Sequence, residues 1–176
     1  MNKKIIHKIL TENKDRWKGT QYIQQLKDGR KYITNGEFVV IFYEEEKLLE
    51  EYKLNSILNL DEIILPQTEY KHITEEDQKI IENIKEIENK LICLPSEEIG
   101  YKKKDVVIIN NVSVSIKYVK WLIEIIGKKE IKNIEYTTNE NKTLYIQTPK
   151  YDIAIITYPL NPSEKTKIKK LQKILI

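Results

Sequence analysis

Between residues 116 and 128 the sequence IKYVKWLIEIIGK sets Lys117, Lys120, Trp121, Glu124 and Lys128 on one side when turned at about 100° per residue. Ile116, Val119, Leu122, Ile123 and Ile126 fall on the other. Ammonium groups along one helix face neutralise phosphates without reading sequence, and the binding they give weakens with salt through counterion release. An indole among them stacks on a base or packs on a sugar. Residues 2–14 repeat the pattern. There Ile5, Ile6, Ile9 and Leu10 oppose Lys4, His7, Lys8 and Thr11, with Lys14 at the end. The candidate DNA-binding residues are therefore Lys4, Lys8, Lys14, Lys117, Lys120, Trp121 and Lys128. A second reading stands beside this one. The lysines form ordinary solvated faces of a lysine-rich chain, and Trp121 packs against a neighbouring segment or a second subunit.

Catalytic chemistry finds little to work with. The sequence has no P-loop, GxGxxG, HExxH, CxxC or GxSxG pattern. His7 and His72 have no metal-ligand neighbours in sequence. Cys93 is the single cysteine and sits among Leu91, Ile92 and Leu94, as a small hydrophobe would. Glu44, Glu45 and Glu46 are consecutive, so no strand or helix points all three at one place. Glu75, Glu76 and Asp77 read as a favourable charge at a helix start. The expectation is a protein without catalytic residue, metal or cofactor.

The elements that would position the lysines follow from length, charge and periodicity. The chain has 176 residues, 40% hydrophobic and 32% charged, enough for one domain with an embellishment. It shows neither a signal peptide nor a membrane span, which points to the cytoplasm. Its net charge of +3 hides an asymmetry: residues 1–36 hold nine basic and three acidic side chains, residues 37–100 six and seventeen, residues 101–176 fifteen and seven. Two basic flanks around an acidic centre favour an anionic partner.

After the first helix, Asp28-Gly29 and Asn35-Gly36 mark two tight turns. They separate three antiparallel strands, Tyr22 to Leu26, Arg30 to Thr34 and Phe38 to Tyr43. A brief helix runs to about Tyr52, and residues 57–73 look irregular, with Pro66 as a breaker. One helix spans Glu75 to Leu91, capped by Thr74. Val106 to Val114 is a β-branched strand, and Ser115 caps the helix that Gly127 closes. Strands follow at Glu130 to Thr138, Thr143 to Thr148 and Tyr151 to Tyr158. The tail from Ser163 forms a short helix with Ile168, Leu171, Ile174 and Leu175 on one side and five lysines around them. It reads as a DNA-contacting arm, a membrane-surface helix or a docking helix.

Helix–strand–strand–strand thus occurs at both ends, and the residues in those stretches resemble the sliding clamp of bacterial DNA polymerase III, its β subunit. In residues 21–40, Thr34-Asn35-Gly36 matches the T-D-G core of that family's A-T-D-G-H-x-L segment, with Asn for Asp. Glu37 stands where the family usually has histidine. In residues 112–160, VSVSIKYVKWLIEIIG is similar to its strand and I-x-x-K-Y-L-x-x-x-L helix, and IAIITYPL to its closing A-x-I-x-P-L. The resemblance implies an α+β, clamp-like fold of two degenerate βαβββ halves whose two helices lie side by side against antiparallel sheets. The matches cover somewhat more than half the chain; the implied domain spans residues 1–160, with a helical insertion at about 44–105 that matches nothing in the family and a basic tail at 161–176. One such domain resembles the isolated clamp-like proteins of phages and mobile elements more than a housekeeping clamp. The implied role is a non-catalytic accessory of DNA replication that binds DNA weakly through the two helix faces. The alternative is an interaction module whose partner is a polymerase, a host clamp or a second copy.

Overall fold

A computed structural model describes residues 1–13, 15–16, 19–44, 47–54, 69–93, 105–139 and 143–176. Lys14, the side chain of Cys93, the segment around Pro66 and most of the Asn139–Lys142 turn lie outside the described residues.

Helix α1 (Lys3–Thr11) starts where the Asn2 side chain accepts the Ile5 N–H at 3.0 Å. Ile5, Ile6, Ile9 and Leu10 are buried, the stripe expected from their spacing. Strands β1 (Gln24–Gln25), β2 (Lys31–Thr34) and β3 (Phe38–Phe42) follow as two hairpins. Gly29 and Gly36 take φ of 91° and 88° in the turns, which a side chain would resist. Asn35 fixes the second turn, its Oδ1 accepting the N–H groups of Glu37 at 3.0 Å and Phe38 at 2.7 Å.

The last third repeats this succession. Helix α4 (Ile116–Ile126) is followed by β7 (Glu135–Thr138), β8 (Leu144–Gln147) and β9 (Tyr151–Ile155). Strand β3 pairs with β9 along all five residues, from Phe38 opposite Ile155 to Phe42 opposite Tyr151. The antiparallel sheet runs β1-β2-β3-β9-β8-β7-β4, so its first six strands read the same from either side of the β3–β9 seam. Strand β4 (Lys71–His72) adds a two-residue margin on β7. Phe38, Val40, Phe42, Ile146, Ile153 and Ile155 alternate onto one sheet face and join α1 and α4 in a single core.

Four expectations change. The helix foreseen over residues 75–91 is two, α2 (Glu75–Glu82) and α3 (Ile84–Cys93). Between them Asn83 bends its amide back onto the Lys79 carbonyl at 2.9 Å, a local bond that competes with helix continuation. The single strand foreseen over 106–114 is a hairpin, β5 (Val106–Ile109) and β6 (Val112–Ser115). Asn110 and Asn111 take φ of 45° and 62° in its turn, the pattern of a tight hairpin built without glycine. Ser115 precedes α4 without a side-chain cap bond; the Ile116 N–H instead reaches the Asp105 carbonyl at 2.8 Å. Residues Lys128–Asn133 form a 3-10 turn, which shortens the strand foreseen from Glu130.

The tail is helix α5 (Pro162–Leu175), started by a reciprocal capping box between Asn161 and Glu164. It packs on β5 and α3. Its inward face is Ile168, Leu171, Gln172 and Leu175, whereas Ile174, expected on that face, is 79% exposed. Gln172 takes its place. This buried amide accepts the Ile108 N–H at 2.7 Å and donates to the Ile108 carbonyl at 3.1 Å, extending the β5 edge with a side chain.

Candidate functional site

Helices α1 and α4 touch and run antiparallel, as their ion pairs show: Lys8 meets Glu124 at 3.4 Å, and Glu12 meets Lys117 at 2.8 Å. The outward faces of both helices thus lie together. On the other flank of α4, α3 brings Glu88 to Lys120, both carboxylate oxygens 2.9 Å from the ammonium. Lys8, Lys117 and Lys120 are each matched by an acid from a neighbouring element. The resulting surface alternates in sign. Lys4 and Lys128 are exposed, and the antiparallel register puts them at the same end of the helix pair.

Trp121 does not belong to this surface. It is 5% exposed and packs edge-on against Phe38 and Tyr118, with ring centroids 5.5 and 5.4 Å away. The sheet covers one side of α4 and α2–α3 cover another, so six of its eleven residues are buried, Tyr118, Trp121 and Ile125 among them. The apolar arc is wider than an aliphatic stripe and is centred differently, with Ile123 and Ile126 at its margin. Flanking lysines made Trp121 look outward-facing; its bulk would have been the better guide. Lys117 lies 4.6 Å from the Tyr118 ring centre and 5.5 Å from that of Trp121, covering the aromatic pair from the solvent side.

Asn35 and Glu37, from the β2–β3 turn, meet at Tyr118. Its buried hydroxyl donates to Glu37 at 2.6 Å and accepts from the Asn35 amide at 3.2 Å. Glu37 also accepts from Tyr158 at 3.3 Å and pairs with Arg16 at 3.1 Å. Burial, then the Glu37 contact, pushes the Tyr118 phenol far above its usual range. The hub ties α4 to the β2–β3 turn and to the chain after β9. Its signal in the sequence was the Asn35-Gly36-Glu37 turn itself, which carries the two polar side chains that reach Tyr118.

On the opposite sheet face Asp152 is the centre of a second polar group. It accepts from Tyr43 at 2.5 Å and pairs with Arg30 at 3.4 Å, while Arg30 also holds Asp28 at 2.8 Å. Burial, then the Asp152 contact, raises the Tyr43 phenol to about 12.

Beside the helix pair opens a cleft of about 960 Å³, with Val106, Ile116, Pro159 and Leu160 as apolar wall and Glu88 and Asp105 among its charged residues. Tyr158 at its mouth and nearby Ile156 are exposed. Among the described residues no three metal-binding side chains gather, and no helix is long and apolar enough to cross a membrane. No family model, curated protein or solved structure matches the chain.

Proposed function

We propose that this chain is a non-catalytic accessory protein of DNA metabolism, a single sliding-clamp-like domain that serves as a protein-interaction module. Its kinship with clamps is supported by the doubled helix–three-strand succession, the mirrored strand order about β3–β9 and the adjacency of α1 and α4. In the second half β6 precedes the helix but pairs with β5 in a separate two-stranded sheet, and no strand precedes α1, so neither half repeats a full βαβββ unit within the large sheet.

One observation favours a protein partner over DNA: Lys8, Lys117 and Lys120 are each already paired with a carboxylate. A polyanion would have to displace three acids, whereas an alternating surface suits the mixed charges of another protein. The α3 segment also packs on a flank of α4 and leaves less of that helix open to DNA. The cleft beside Leu160 offers an apolar seat with a charged rim for an anchor side chain of a polymerase, a host clamp or a second copy.

Calorimetric titration of the full chain with the purified replicative polymerase and sliding clamp of the same cell, and a dilution series of the chain alone, test this. Leu160→Glu is expected to weaken the association by at least about tenfold, the cost of spoiling an anchor pocket. The Lys4→Glu/Lys128→Glu pair is expected to leave it intact. No association with any of the three, or loss only in the lysine pair, removes the reading.

The exposed common end of Lys4 and Lys128 favours a second reading, weak sequence-independent DNA binding at the helix pair. Fluorescence anisotropy with duplex DNA checks it: that binding falls in Lys4→Glu/Lys128→Glu if the helix pair is responsible.

A further inference from the structure

The C-terminal helix presents a different electrostatic surface from the helix pair. Ser163, Thr166, Lys167, Lys170, Lys173 and Ile174 face solvent along its whole length. The helix contains one acid, Glu164, and that carboxylate is turned back into the capping box. Lys173 reaches Glu76 of α2 only at 3.8 Å, and Lys169 donates to Asn111. Lys167 and Lys170 form no ion pair with another described residue. Lys167 and Lys170 are thus about one helical turn apart on an element whose inner face is bolted down by Ile168 and the Gln172–Ile108 pair. Little ordering remains to be done when an anion arrives.

We infer that the outer face of α5 binds the phosphodiester backbone of nucleic acid, without base readout. At about 1.5 Å rise per residue, Lys167 to Lys173 span about 9 Å, the axial length of two or three phosphates on one strand at about 3.4 Å each. Charge complementarity selects the occupant class, and the helix's apolar residues select within it. An amphipathic helix enters a membrane surface with its apolar face. Here Ile168, Leu171 and Leu175 are spent on β5 and α3, so Ile174, with Ile176 just past the helix end, is what projects beside the lysines. A polyanion needs the cations alone.

The test uses the full chain, fluorescein-labelled duplexes of two unrelated sequences, and phosphatidylserine vesicles. Lys167→Glu/Lys170→Glu is compared with Lys47→Glu/Lys71→Glu, which changes net charge equally at exposed sites elsewhere. The native chain is expected to bind both duplexes alike, with log K falling against log salt by about 0.9 per phosphate contacted. The α5 pair is expected to lose about tenfold or more at low salt, the control pair less than about threefold. Circular dichroism and unfolding midpoints of the variants should match the native chain, because both sites are exposed. Absence of DNA binding at low salt, equal loss in the two pairs, or binding to the vesicles but not to DNA overturns the inference. Loss confined to Lys4→Glu/Lys128→Glu does so too and moves the contact to the helix pair, whereas the Leu160→Glu result bears on the protein-partner reading alone.

Discussion

Replacing Trp121 by alanine removes the ring that Phe38 and Tyr118 both pack against. A cavity at the centre of the core should cost about 3–5 kcal/mol, read from urea unfolding midpoints. A surface tryptophan would cost far less, so the measurement distinguishes a packing role from a binding one. The phenols give a second expectation. Tyr43 and Tyr70 are both raised to about 12 from an ordinary value of 10.0, first by burial and then by the nearby Asp152. The folded state therefore holds these protons more tightly than the unfolded chain does. The contribution of these two phenols should be constant below pH 10 and fall as pH rises from there through about 12, since over that window the unfolded state binds fewer protons. Tyr43→Phe should make the decline shallower. An unchanged slope would mean that this phenol does not couple to folding.

At the scale of elements the tail helix is the most exposed to a single change. Gln172→Ala leaves the Ile108 N–H and carbonyl buried beside a space, a loss of about 1–3 kcal/mol for each unsatisfied group. Amide exchange along β5 and α5 should accelerate while β3 and β9 stay protected; equal acceleration everywhere would make α5 part of one cooperative unit with the sheet. Legibility also divides along element lines. Asp28-Gly29 and Asn35-Gly36 announced their hairpins because those turns need positive φ, and the α1 stripe announced its buried face because that helix lies on one side of the core and buries one continuous aliphatic stripe. The hairpin at Asn110-Asn111 was hidden inside a β-branched run, since asparagine signals a turn less sharply than glycine. Asn83 broke a helix through a side-chain bond that periodicity cannot register. On α5, Gln172 won an inward position from Ile174 because the β5 edge offers a donor and an acceptor that only a polar side chain can satisfy. The lysines of the candidate face were found, and Glu124 with them, but the pairings of Glu124 with Lys8, Glu12 with Lys117 and Glu88 with Lys120 each join two elements and exist only after folding.

Taken whole, the sheet has margins poorly suited to growth. At one end β1 is two residues long, and the preceding Ile23 already donates to the Lys53 carbonyl at 3.0 Å; at the other end β4 is also two residues long. Edges this short give a second copy little backbone to pair with. Light scattering should therefore return a mass near the single-chain 21.0 kDa. A particle several times heavier would mean that assembly proceeds through another surface.

The β3–β9 seam carries a consequence for biosynthesis. Strand β3 ends at Phe42, and the strand that completes it ends at Ile155, so the ribosome must deliver most of the chain before the two can zip together. Until then the nascent N-terminal hairpins carry an unpaired border of Phe38, Val40 and Phe42, the kind of surface that chaperones capture and aggregates recruit. Such distant pairing also slows spontaneous renaturation, because the long intervening loop must be closed before any of its contacts is rewarded.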